Sequence, residues 1–244
     1  MIPKKIHWCW FGRGEKPPLV KRCIESWQKY CPDYEIIEWN EDNFDVNCNG
    51  FVKEAYEQKK YAFVADYVRL AVLYEYGGIY MDSDVEVIRS LDETFLKYKG
   101  FSGFESISSA VTGIMACESK FPLFKTLLSY YDNISFLNPD GSFNDTTNTE
   151  IITKEFIKRG LILNNKFQIV DDFALFPSDY FCPYDNPTGK LYKTENTYTI
   201  HWFSGSWIEK KDMRKIKKTR VLFRIFGKEN IQRLSVIKHK IWRK

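Results

Sequence analysis

The run from Tyr61 to Tyr76, YAFVADYVRLAVLYEY, constrains the fold more than any other stretch. It is apolar almost all the way round a helix, which marks a helix buried on most of its sides. Gly77-Gly78 breaks it, and Ile79-Tyr80-Met81 follows as a short apolar strand. Asp66 and Arg69 interrupt the apolar surface with charge, and at a spacing of i and i+3 they share a face. Charges on a buried helix are tolerated when they are paired or when they serve a ligand. The strand then runs into Asp82-Ser83-Asp84.

In an extended segment residues i and i+2 point to the same side, so the spacing predicts that Asp82 and Asp84 converge on one hard cation. Carboxylates with open positions suit Mg2+ or Mn2+, which join protein carboxylates to a ligand's phosphate oxygens. A solvated turn also accounts for an isolated Asp-x-Asp, and a structural ion pair for Asp66 and Arg69 alone. On consecutive elements, the four residues read as one pocket for a phosphorylated ligand.

Upstream, Ile2 to Phe11 reads as a strand ended by Gly12-Arg13-Gly14, Leu19 to Tyr30 as a helix with proline in its first turn, and Tyr34 to Trp39 as a second strand. Strand, helix, strand in this order gives parallel pairing through a right-handed crossover, with a site at the carboxyl ends of the strands. A helix over Phe51 to Lys59 leads into the buried one. Downstream, the pattern predicts a short helix over Leu91 to Leu96 and strands over Phe101 to Phe104 and Thr112 to Ala116. Helices follow over Phe121 to Tyr131 and Glu150 to Arg159, and Phe167 to Phe176 is apolar and aromatic. The polar stretch Asn138 to Thr149 reads as a loop that sees an acceptor. With no internal repeat and no long linker, the chain divides into one domain, 1–208, and a tail, 209–244.

The strings Ala65-Asp66-Tyr67-Val68-Arg69 and Leu73 through Val85 resemble the DXD sugar-binding region of glycosyltransferase family 32. Thr199 to Trp207, TIHWFSGSW, resembles that family's second signature, His-x-x-x-x-Ser-Trp, with His201, Ser206 and Trp207 at the fixed places. The resemblance implies a single GT-A-like nucleotide-sugar-binding α/β domain with a mixed, mainly parallel sheet and a basic C-terminal helical extension. It also implies an Mn2+- or Mg2+-dependent, retaining transfer of a hexose or N-acetylhexosamine. The donor would be a UDP-sugar in preference to a GDP-sugar, and the acceptor a glycan or lipid-linked oligosaccharide in surface or capsular polysaccharide synthesis. On this reading Asp84 is a direct metal ligand and Asp82 touches the metal shell and the ribose or sugar hydroxyls. Asp66 and Arg69 hold the donor sugar and a phosphate, and Trp10 lies against the base. His201 approaches the metal, while Ser206 and Trp207 donate to the β-phosphate. Without the resemblance, Trp10 is equally a core tryptophan and His201 a structural histidine. His7 reads as scaffold.

A different class also fits part of the pattern. Asp-x-Asp after an apolar strand, with Asp171-Asp172 after Ile169-Val170, sketches a haloacid-dehalogenase-type phosphatase, although Val85-Glu86 stands where that chemistry wants threonine.

Charge is segregated. Residues 209–244 hold fourteen Lys/Arg against three Asp/Glu, a net +11 in a chain whose total is +4, which leaves −7 for residues 1–208. Apolar residues recur between the basic ones at helical spacing, which reads either as an element for an anionic membrane surface or as a helix packed on the body with its lysines in water. No nucleic-acid-binding motif accompanies the charge. No apolar span is long enough to cross a membrane and the opening residues, MIPKKIHWCW, show no cleavable signal. Six cysteines without zinc spacing read as free thiols. The expected location is the cytoplasm, at the inner face of the membrane if the tail binds there.

Overall fold

The computed structural model describes residues 1–111, 113–205 and 210–227. Strand β1 (Lys5–Cys9) leads to helix α1 (Pro18–Tyr30), which buries Val20, Cys23 and Trp27. The chain returns as β2 (Glu35–Trp39), parallel to β1 with Lys5 opposite Glu35 and Cys9 opposite Trp39. Asn49 caps α2 (Gly50–Glu57) by accepting from the Phe51 N–H, and α3 (Tyr61–Tyr76) has the bounds its sequence predicts.

Gly77 and Gly78 carry the chain from α3 into the middle of the sheet with φ of +64° and +100°. A Cβ at Gly77 would lie 2.5 Å from the Ser119 nitrogen, and one at Gly78 2.8 Å from the Lys5 carbonyl oxygen. Both positions therefore require glycine for conformation and for space. The resulting strand, β3 (Gly78–Met81), is buried along its whole length.

Beyond it come β4 (Val85–Val87), α4 (Asp92–Phe95), β5 (Gly100–Gly103), β6 (Ile114–Cys117), α5 (Pro122–Tyr131) and α6 (Asn148–Lys158). The remaining elements are β7 (Gln168–Val170), β8 (Phe173–Phe176), α7 (Ser178–Phe181), β9 (Tyr184–Asp185), β10 (Lys190–Leu191), β11 (Thr199–His201) and α8 (Lys210–Phe226). Seven strands form one sheet in the order β2-β1-β3-β6-β5-β8-β7. From the pairings, β2, β1, β3, β5 and β8 point one way and β6 and β7 run against them, so the sheet is mixed and mainly parallel. Apolar clusters fill both faces. One gathers residues of α2, α3, α5 and α6, including Val68, Leu73, Phe124 and Phe156; the other gathers α1, α4 and α7 around Trp27, Phe95 and Phe181. This is the layered arrangement that buries a largely parallel sheet.

Several boundaries differ from the sequence reading. The stretch Phe167 to Phe176 makes two antiparallel strands, because Asp171 and Asp172 adopt φ of +49° and +67° and reverse the chain between them. Helix α6 begins at Asn148, where Thr147 caps it by accepting from the Glu150 N–H, so the polar loop ends earlier than expected. The hairpin β9–β10 was not anticipated. It receives α8: the Arg220 Nε–H donates to the Asn186 carbonyl (2.9 Å), and Arg224 donates to the carbonyls of Thr188 (2.5 Å) and Gly189 (2.6 Å). Residues 228–244, the remainder of the basic tail, lie outside the described residues. All six cysteines are free; five are buried and Cys48 is exposed.

Candidate active site

Asp82 leaves the carboxyl end of β3 and immediately enters a turn. The Val85 N–H donates to the Asp82 carbonyl (2.9 Å), and the Asp82 N–H donates to the Gly113 carbonyl (2.7 Å). The two carboxylates therefore converge through a tight turn with Ser83 at its bend. Alternation along an extended strand, the expected route, does not operate here. Strand β11 pairs antiparallel with β4 and sets His201 opposite Val85, so the imidazole stands beside the turn. His201 Nε2 is 3.4 Å from Asp84 Oδ1 and 3.8 Å from Asp82 Oδ2. One ligand atom from each of Asp82, Asp84 and His201 lies within 4.8 Å of the others.

Hydrogen bonds fix this group from the backbone. The Ser204 N–H donates to Asp84 Oδ2 (2.6 Å), and the Trp202 N–H donates to the Asp84 carbonyl (3.1 Å). Burial by itself would raise the Asp84 pKa, but the His201 charge and the Ser204 donor outweigh it and hold the carboxyl at about 2. The same balance appears on His201, where burial favours the neutral ring and Asp84 more than reverses it, raising the pKa well above the ordinary value. Gly113 closes the floor. A Cβ there would sit 2.8 Å from Asp82 Oδ2 and 3.1 Å from His201 Cε1, so any side chain would press on two of the three.

Arg69, buried on α3, joins the two acidic positions that the sequence separates. Its Nη2 is 3.1 Å from Asp66 Oδ1 and 2.9 Å from Asp82 Oδ1. Its guanidinium also lies over the Tyr80 ring, 4.9 Å from the centroid. Burial raises Asp66 to about 6, with Asp82 adding to the rise and Arg69 opposing it. The N–H of Asn148, at the start of α6, donates to Asp66 Oδ2 (3.3 Å), and the Asn148 side-chain amide donates to the Asp66 carbonyl (3.0 Å).

These groups line a cavity of about 930 Å³, at the upper end of the size of small-molecule sites. Trp10 lines it too, fixed by donation from its Nε1–H to the Gly14 carbonyl (2.7 Å). The structure thus brings together Trp10, Asp66, Arg69, Asp82, Asp84 and His201. Ser206 and Trp207 lie outside the described residues. Glu105, Gly113, Asn148 and the α8 residues Lys215, Thr219 and Arg220 also face this cavity, and the sequence reading assigned none of them. Glu105 opens a polar segment after β5, visible in the sequence, but its distance from Asp82 depends on strand order. His7, buried in β1, serves the scaffold: the Trp39 Nε1–H donates to its Nδ1 (3.1 Å) and its Nε2–H donates to the Gly77 carbonyl (2.9 Å).

The phosphatase alternative fails on topology. Asp171 and Asp172 precede β8, which runs with β5 and β3, so they lie at the end of the sheet opposite Asp82 and Asp84. There Asp171 pairs with Arg159 (2.9 Å) and Asp172 with Lys99 (2.8 Å), largely in solvent.

Several known proteins are similar to this chain. The family description "Glycosyltransferase sugar-binding region containing DXD motif" matches residues 17–101. An uncharacterized glycosyltransferase of Acanthamoeba polyphaga mimivirus is 27% identical over 221 residues, covering 85% of this chain and 84% of that protein. Inositol phosphoceramide mannosyltransferase 3 of Schizosaccharomyces pombe is 31% identical over 146 residues, covering 55% of this chain but only 38% of its own length. Among solved structures, the PaToxG glycosyltransferase superposes with a TM-score of 0.48 at 18% identity, over 64% of this chain and 69% of that one.

Proposed function

We propose that this chain is a family 32-like glycosyltransferase, as its likeness to the DXD sugar-binding region and to glycosyltransferase relatives supports, and that it transfers a hexose or N-acetylhexosamine from a nucleotide-diphosphate sugar, with Asp82, Asp84 and His201 as the ligands of a divalent cation. The convergence of those three side chains at the floor of the 930 Å³ cavity carries the reading. Two carboxylate oxygens and one imidazole nitrogen fit Mn2+ or Mg2+ with positions left for phosphate oxygens. Such an ion, when bound, supplies Lewis-acid neutralisation of the departing diphosphate. Asp84 is the principal ligand, because the Ser204 N–H keeps its second oxygen engaged and its carboxyl ionised. Asp82 holds the metal shell on one side and accepts from Arg69 on the other.

Arg69 is positioned by both acids so that its remaining N–H donors face the cavity, where a planar fork suits a phosphate or a pair of sugar hydroxyls. Asp66, steadied by Asn148, accepts from the donor sugar. Trp10 lies against the base. Ser206 and Trp207 are assigned to the β-phosphate by resemblance. From the same resemblance the transfer retains anomeric configuration: the acceptor hydroxyl oxygen bonds the anomeric carbon on the face from which the diphosphate oxygen departs, and the hydroxyl proton passes to that oxygen. UDP-sugars are the preferred donors, and GDP-mannose is the main alternative because of the mannosyltransferase relative.

We read residues 1–208 as the transfer domain and 209–244 as an extension toward an anionic membrane, in the cytoplasm, with a lipid-linked acceptor of a surface or capsular polysaccharide. Helix α8 supports this. Its Ile216, Arg220 and Phe223 turn toward the body and line the cavity, while Arg214, Lys217 and Lys218 are exposed together with Val221, Leu222 and Ile225. Basic and apolar residues sharing an outer face suit an anionic bilayer surface. No helix among the described residues is long and apolar enough to cross a membrane.

The central test incubates the protein with Mn2+ and each of UDP-glucose, UDP-galactose, UDP-N-acetylglucosamine and GDP-mannose, and measures nucleotide release. Metal-dependent release from one donor is expected; none from any donor removes the reading. Sedimentation with phosphatidylglycerol against phosphatidylcholine vesicles tests the tail, with salt-sensitive binding to the former expected. Equal partitioning to both would argue against a charge-driven contact.

A further inference from the structure

Among the described residues, four of the five acids that line the cavity have partners supplied by the fold. Asp66 and Asp82 pair with Arg69, Asp84 with His201 and the Ser204 N–H, and Glu15 at the rim with Lys21. Glu105 has none: among the described residues its carboxylate accepts no hydrogen bond and forms no ion pair. Its oxygens are not sealed away from water, so a ligand hydroxyl entering the cavity can take the place of solvent there. Burial pushes the Glu105 pKa up, with the nearby His201 and Arg69 charges opposing the rise.

Its position says what could supply the donor. Glu105 follows the carboxyl end of β5, Asp82 follows that of β3, and β6 lies between those two strands. Two strand spacings put the chain at these points about 10 Å apart. The residue between them, just before β6, is Gly113, and the space directly over it is already taken by Asp82, Val85 and His201. The cavity therefore has two carboxylates beside this packed floor, one held by an arginine and one left open. A sugar ring lying above the floor would bring its hydroxyls to that open carboxylate, and hydroxyls are donors that an ionised carboxylate accepts strongly.

We propose that Glu105 is a specificity-determining residue that accepts a hydrogen bond from a hydroxyl of the sugar being transferred, on the side of the ring away from Asp82. The inference rests on the proposed function and extends it from the cation and diphosphate to the selection of the glycosyl group. Asp82 and Arg69 would accept many hexoses. Glu105 would favour those that present a hydroxyl toward β5.

The experiment compares wild type, Glu105→Gln and Glu105→Ala for Mn2+-dependent hydrolysis of the four nucleotide sugars named above. Loss of a hydrogen bond to a charged acceptor lowers kcat/KM by about 10- to 100-fold. That loss is expected for Glu105→Ala with the best donor, with Glu105→Gln between the two because its amide oxygen still accepts. Preference among the four donors flattens in Glu105→Ala. Stabilisation by UDP plus Mn2+ or GDP plus Mn2+, which lack the sugar, is the same in all three proteins. The melting temperature without ligand is not lowered, because the removed carboxylate had no partner. Equal kcat/KM and equal donor preference in all three proteins would overturn the proposal while leaving the proposed function intact. Hydrolysis unchanged but transfer to methyl glycosides lost would reassign Glu105 to the acceptor and overturn the donor assignment. A wild type that releases nucleotide from none of the four donors overturns the proposed function, and this inference with it.

Discussion

Each end of the central sheet carries a histidine and two aspartates, and the two ends use them in opposite ways. At the carboxyl end His201 faces Asp82 and Asp84, with Asp84 and His201 buried and Asp82 partly so, and charge is held there at close range in a low-dielectric setting. Toward the amino end His7 is also buried, but its partners are the Trp39 N–H and the Gly77 carbonyl, which are neutral. Asp171 and Asp172 lie at that end too, each paired with a separate cation in solvent. Without a cation His201 is consequently driven toward its charged form, a proton that a bound cation would displace, and His7 toward its neutral one, with a pKa lowered to about 4 by burial. Residue type does not separate these groups. Convergence and desolvation do.

The sharpest way to break the contrast is Asp84→Asn. Loss of the principal cation ligand is expected to lower kcat/KM for nucleotide release by about 10²- to 10³-fold and to abolish the rise in melting temperature with Mn2+, while the apo protein still folds, at a lowered melting temperature because His201 loses its ion-pair partner. Persistent Mn2+ stabilisation in this variant would mean that the ion binds elsewhere.

Next in size is the pH response of His7. Its folded pKa of about 4 lies below the unfolded value of about 6.5, so the stability it contributes is fully present above pH 6.5 and is lost as pH falls through 4. The span amounts to about 3 kcal/mol. Urea unfolding of wild type and His7→Gln between pH 7 and pH 4 checks it, with a flatter profile expected for the variant. Parallel profiles would show that His7 does not account for the acid sensitivity.

Arg69→Lys probes the site at a finer level. A lysine keeps the charge but cannot present a planar fork to Asp66, Asp82 and a ligand together. An increase of about 10-fold in donor KM is expected with kcat less affected. A kcat loss at unchanged KM would place Arg69 in the transition state alone.

Much of this was legible in the sequence because it is local. The buried α3, the Gly77-Gly78 break and the Asp82-Ser83-Asp84 pair sit on one continuous stretch, and periodicity reports such features. His201 was found only through the resemblance; its approach to Asp84 depends on β11 pairing with β4 across more than a hundred residues. Glu105 and Gly113 join the site because β6 lies between β3 and β5, which no periodicity encodes. Asp171 and Asp172 were misleading for the converse reason. An acidic pair after an apolar strand looks the same whichever end of the sheet it occupies, and here the chain reverses at that pair through two residues with positive φ.

The smallest expected effect is therefore also a control on the comparison. Replacing both Asp171 and Asp172 with asparagine removes two exposed ion pairs, to Arg159 and Lys99, of the kind that contribute about 0–1 kcal/mol each. Asparagine tolerates the left-handed backbone that both positions adopt, so the reversal between β7 and β8 is kept. Nucleotide release and Mn2+ stabilisation should match wild type, with melting temperature lowered by at most a few degrees. A large loss of activity would mean that the amino end of the sheet is coupled to the chemistry, and the division between the two ends would have to be abandoned.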